Sequence, residues 1–157
     1  MDWKELDMKR ILGALAITAA GLPAFASSDD IVKVKAFSDV ETVMDRLVAA
    51  VEGAGAKVMA RVDHAGGAAS VDMEIAPTET LIFGNPKIGT QAMMDDPVAG
   101  LFLPMKVLVY RDGAGQTWLV YQTPKDMFDD LAISDDAAYI KMMTGALAKL
   151  TAKAAAE

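Results

Sequence analysis

Between Met105 and Thr123, two strand-like runs flank one tight turn. Met105, Val107 and Val109 alternate with Lys106, Leu108 and Tyr110, Asp112-Gly-Ala-Gly115 follows, and Gln116 to Thr123 forms the partner run before Pro124 ends it. A period of two marks strands with unlike faces. A glycine-rich tetrad joining two such runs is a hairpin turn, which imposes an antiparallel pair. Any fold for this chain has to be built around that pair.

The remaining elements read outward from it. Ile31 to Phe37 places Val32, Val34 and Ala36 against Lys33 and Lys35, a half-buried strand. Ser38-Asp-Val-Glu41 has the spacing of a capping box. Val40, Val43, Met44, Leu47, Val48 and Val51 then recur at helical spacing up to Gly53 and Gly55, which can take the left-handed conformation that ends a helix. Lys57 to His64 alternates again, with Val58, Ala60, Val62 and His64 on one side. Ala65 to Ala76 has no period and reads as a loop with at most a helical turn. Thr80 to Phe83 is a short apolar run in the manner of a strand covered on both faces, and it runs straight into a loop, Gly84 to Thr90. Gln91 to Gly100, interrupted by Pro97, reads as one or two helical turns. Ser134-Asp-Asp136 supplies an N-cap and an acidic first turn for a last helix, whose stripe is Tyr139, Met143, Ala146, Leu147 and Leu150. The order is strand, helix, four strands, helix. An antiparallel sheet with helices packed on one face, an α+β fold, is the expected architecture.

Met1 to Ala26 has the layout of a signal peptide. Met8-Lys9-Arg10 is a positive lead, Ile11 to Leu22 an apolar stretch, and Ala24-Phe25-Ala26 a small-x-small cleavage pattern, with Met8 a candidate for the true start. The expectation is export to the periplasm or medium, with residues 27–157 as one domain and no membrane anchor after cleavage. Cleavage would remove three basic and three acidic residues and leave the net charge at −7. An acidic body repels phosphate backbones and argues against nucleic acid as partner. The chain has no cysteine, which removes thiolate metal sites and Cys nucleophiles.

Chemistry is sparse. Gly84-x-x-x-x-Gly89-Thr90 approaches a phosphate-binding P-loop, but Thr90 stands where that motif needs Lys, and Lys87 lies inside the loop. What survives is a candidate binding loop, Gly84, Asn85, Lys87, Gly89 and Thr90, whose backbone N–H groups could form an anion nest. The alternative is that these residues only turn the chain out of a buried strand. His64, the single histidine, shares the apolar parity of its strand and is the one candidate acid or base. Asp63 points to the opposite face, so a third group such as Tyr110, Tyr121 or Asn85 would have to orient the ring. One His without Cys leaves only carboxylates to complete a zinc site. The abundant methionines read as core filling rather than a Cu(I) site, with Met73, Met105, Met127 and Met143 at core positions. No cofactor and no metal is indicated.

Arg61-Val-Asp-His64, Leu81-Ile-Phe-Gly-Asn-Pro-Lys87, Gly89-Thr90, Leu101-Phe-Leu-Pro104, Lys106-Val-Leu-Val-Tyr110 and Tyr121 together resemble domain-of-unknown-function family 302. The resemblance covers nearly all of the chain after the leader. It implies a β-α-β(4)-α fold of the TATA-binding-protein-like group and assigns no catalytic residue. Three functional readings stay open: a non-catalytic module binding a small molecule or partner protein, an enzyme on a small anionic substrate using His64 and the Gly84 to Thr90 loop, and a dimeric assembly protein using the open sheet edges.

Overall fold

A computed structural model describes residues 30–156; the expected leader lies outside the described residues. β1 (Ile31–Ala36) leads through α1 (Val40–Gly53) to β2 (Lys57–Asp63), a short α2 (His64–Ala69) and β3 (Thr78–Gly84). α3 (Pro86–Asp95) and a 3-10 turn (Pro97–Leu101) then precede β4 (Met105–Arg111), β5 (Thr117–Gln122), α4 (Pro124–Met127) and α5 (Ala138–Ala155). The five strands form one sheet in the order β1-β5-β4-β3-β2, every neighbouring pair antiparallel. The hairpin forms as its sequence requires. Asp112 Oδ1 accepts from the N–H groups of Ala114 and Gln116 at 2.9 Å each, and Gly115 takes φ +81°.

α1 and α5 pack together across one face of the sheet. Val43, Met44 and Leu47 of α1 and Leu147 of α5 press onto Leu81, Phe83, Val107, Val109 and Leu119, all at most 1% exposed. Each such side chain contributes about 1.5–3 kcal/mol relative to exposure, so this layer holds the fold. Among the described residues, neither long helix packs over the opposite face. β3 is therefore covered on one side only: Leu81 and Phe83 are buried while Thr80 and Ile82 are half-buried. Lys33, Lys35, Lys106, Trp118 and Tyr110 stand on this open face, and its strand positions include no Asp or Glu. Lys33 Nζ lies 4.2 Å from the Trp118 ring centroid and 5.3 Å from that of Tyr110.

Local chemistry moves several boundaries. α1 is capped by Asp39, one residue after Ser38. The Asp39 oxygens accept from Thr42 N at 2.9 Å and Thr42 Oγ1 at 3.0 Å, and Ser38 Oγ instead accepts from Arg46 Nη1 at 3.1 Å. A carboxylate satisfies the positive end of a helix better than a neutral hydroxyl does, and these bonds hold Asp39 below the usual carboxylate range. α5 begins at Ala138 without a side-chain cap, because Ser134 Oγ accepts from Asp136 N in a turn ahead of the helix.

β2 departs from strict alternation. Val58 pairs with Phe83 but Ala60 pairs with Ile82, so Met59 is an extra residue in a bulge. Beyond it the parity flips: Ala60 and Val62 turn to the open face and Arg61 turns to the helix side. There Arg61 donates to Asp45 of α1 at 2.7 Å and forms an ion pair with Glu79 of β3. β2 also ends at Asp63 rather than His64, because the Asp63 carboxylate accepts from Gly66 N at 2.8 Å and caps α2.

Candidate functional site

Gly84 to Thr90 is not a loop. Asn85 caps α3 and Pro86 is its first helical residue, a position that suits proline because its missing N–H would have no helical partner. Asn85 absorbs the first-turn donors: its Oδ1 accepts from Lys87 N at 3.0 Å, and its carbonyl accepts from Ile88 N and Gly89 N at 2.9 Å each. No anion nest remains. Neither Gly84 nor Gly89 has a positive φ. A Cβ on Gly84 would meet Pro104 and one on Gly89 would meet Leu103, each at 3.5 Å. Both are ordinary van der Waals separations, so the Leu103-Pro104 segment packs against β3 and α3 without needing a glycine at either position.

What this arrangement encloses is a cavity of about 300 Å³ between the end of β3, α3, the segment before β4, and α5. Its floor is Phe83, Met105, Met143 and Leu150. Its walls include Ile88, Met93, Leu103 and Pro104. Gly84, Asn85, Gly89 and Thr90 belong to the lining, and Lys87 and His64 do not. Among the described residues, none in the lining carries an ionisable side chain. Met59 is 46% exposed and Met93 39%, so part of the lining reaches solvent.

His64 lies elsewhere. It is exposed at the start of α2, with Nε2 2.9 Å from Thr80 Oγ1. Thr80 to Gly84 is about 14 Å along a strand at ~3.4 Å per residue, so the histidine and the cavity sit at opposite ends of β3. The orienting groups once expected for it are committed to other places: Asn85 caps α3, Tyr110 faces Lys33 on the open sheet, and Tyr121 is buried under α5, where burial raises its pKa. Among the described residues no cluster of three or more His, Cys, Asp or Glu could hold a metal ion. Met73, expected in the core, is exposed, whereas Met59, Met93, Met105 and Met143 share the cavity lining.

Three residues that position the site carried little signal in the sequence. Tyr139 donates from its hydroxyl to Asp95 Oδ2 at 2.6 Å and ties the start of α5 to the end of α3. Burial first, and this bond second, push the phenol pKa up to about 12. Asp96 accepts from Val98 N at 2.9 Å and from Ala132 N at 3.1 Å, anchoring the 3-10 turn to the segment before α5. An Asp followed by Pro97 is a readable cap pattern. The long-range partners Ala132 and Tyr139 are not readable in that way.

With this geometry in place, the family follows from comparison. The model of the family described as Domain of unknown function DUF302 matches residues 31–150. The chain belongs to the DUF302 family. A crystal structure of an uncharacterized conserved DUF302 protein from Bacillus stearothermophilus superposes with a TM-score of 0.65 at 17% identity, covering 81% of this chain and 96% of that one. This likeness establishes the shared DUF302 fold. Sequence relatives include proteins named Fluoride-specific ion channel FluC 1 from Brucella suis biovar 1 (strain 1330) and Brucella abortus biovar 1 (strain 9-941). Each is 37% identical over 127 residues, with 78% of this chain matched against 50% and 47% of those proteins. The DUF302 chain thus spans about half the length of the curated relatives it matches. Among its described residues no helix is long and apolar enough to cross a membrane.

Proposed function

We propose that this DUF302 domain is a non-catalytic module that binds a small molecule in the cavity beside α3. The observation that carries the reading is the lining itself: a preformed, solvent-accessible pocket at the small end of the usual ligand-site range, apolar throughout except for a few polar groups at one end. The enzyme reading needs His64, Asn85, Lys87 and Thr90 to face one space, and the separation of His64 from the cavity removes its support. Thermal-shift screening and native mass spectrometry of protein purified from its own compartment test the binding reading. A retained or stabilising small molecule is expected, abolished by Ala146→Trp, which fills the cavity, and unaffected by His64→Ala. Stabilisation that survives Ala146→Trp would place the ligand elsewhere and end the proposal.

A second reading comes from the relatives. Because the chain matches about half of proteins named as fluoride-specific channels, we propose that a DUF302 module can work beside a membrane channel as a ligand-responsive attachment. Reconstituting the Brucella suis protein with and without its matching half, and measuring fluoride flux, tests this. Equal flux with and without that half, at every ligand level tried, would refute it.

A further inference from the structure

The chemistry of the cavity wall specifies its occupant more closely, on the footing that the cavity is a ligand site. All the ionisable side chains near it are directed elsewhere or lie outside its lining. Asp95 accepts from Tyr139, and Lys106 Nζ is 3.4 Å from the carbonyl of Phe102. Lys87 is exposed on the first turn of α3 but is not part of the lining. An ion entering such a site would give up hydration without gaining a counter-charge, which is costly. The first-turn N–H groups of α3, which could otherwise receive an anion, are all taken by Asn85.

Two donors are left for a ligand. Asn85 Oδ1 accepts from Lys87 N, which fixes the orientation of the amide and leaves Nδ2–H₂ without a partner among the described residues. Thr90 is exposed, so its hydroxyl is open to solvent or to a ligand at the rim. Both residues belong to the lining, and the other lining residues are apolar. A volume of about 300 Å³ stands at the small end of the range for small-molecule sites and fits a small occupant.

We infer that the cavity takes a small, uncharged, mostly hydrocarbon molecule with one acceptor oxygen, a ketone, alcohol or ester, held by Asn85 Nδ2 and Thr90 Oγ1. The test compares nonane, 2-nonanone, 1-nonanol and sodium nonanoate at pH 8, with the full chain labelled at its methionine methyl groups. The signals of Met59, Met93, Met105 and Met143 report occupancy. The expected result is saturable shifts with 2-nonanone and 1-nonanol, and binding of nonanoate at least about tenfold weaker. Asn85→Ser keeps an oxygen to cap α3 but withdraws the amide donor without adding a charge, and Thr90→Val removes the hydroxyl at nearly constant shape. Each should weaken 2-nonanone by about three- to tenfold while leaving nonane unchanged. Circular dichroism confirms that the variants are folded. Nonanoate binding as tightly as 2-nonanone would overturn the uncharged assignment, and equal losses for nonane and 2-nonanone in both variants would overturn the two donors. Either result leaves the ligand-site reading standing. Failure of all four compounds to move the lining methionines would instead count against that reading itself.

Discussion

Gly89 stands inside α3 with a helical backbone, where glycine has no conformational task. A methyl group added there would sit 3.5 Å from Leu103 Cδ1, an ordinary contact. Gly89→Ala should therefore stabilise the protein by about 0.5–1 kcal/mol, by removing unfolded-state freedom and adding helix propensity. Urea denaturation checks it, and a loss of stability would mean that the Leu103 segment cannot yield. The same residue shows how a local pattern misleads. Gly84, Pro86 and Gly89 carry the composition of a turn, yet proline at the first helical position after an Asn cap is also a helix start. Asn85 decides between the two by accepting all three available first-turn N–H groups.

At the level of elements, the bulge at Met59 is the consequential feature. Strict alternation through Lys57 to His64 would bury Ala60, Val62 and His64. One extra residue sends Ala60 and Val62 to the open face and brings Arg61 to Asp45 and Glu79. These are partly exposed groups, with Arg61 at 36% and Asp45 at 64%, so solvent screens the attraction. Arg61→Ala should cost less than about 1 kcal/mol in low salt, and less again in concentrated salt. Parallel melts of both proteins across a salt series read this out; a larger or salt-independent loss would show that the aliphatic stem of Arg61 matters more than its charge. Bulges leave no reliable mark on a single sequence, since pairing between β2 and β3 sets where the ladder slips.

Across the whole molecule, Tyr139 joins the two helices that wall the cavity. Its pKa rises from the ordinary 10.0 to about 12 in the folded state. The folded protein therefore keeps a proton that the unfolded chain has released, and the associated stability is present below pH 10 and lost as pH rises through 12. Tyr121, raised by burial, adds to the same trend. Tyr139→Phe should lose about 1–2 kcal/mol at neutral pH through the missing bond to Asp95. It should also show a shallower fall in melting temperature between pH 10 and 12 than the parent protein; identical alkaline slopes would refute this role for the phenol. By itself, the sequence determined the strands, α1, the hairpin, the one-sided helical layer and the family, because each follows from periodicity, a tight turn or a motif carried by neighbouring residues. Tertiary structure alone decided that β2 changes face, that α3 walls a cavity, and that His64 is remote from it. Those outcomes depend on how β3 pairs with β2 and how α3 is tied to α5, by contacts such as Tyr139 to Asp95 that join residues far apart in the chain.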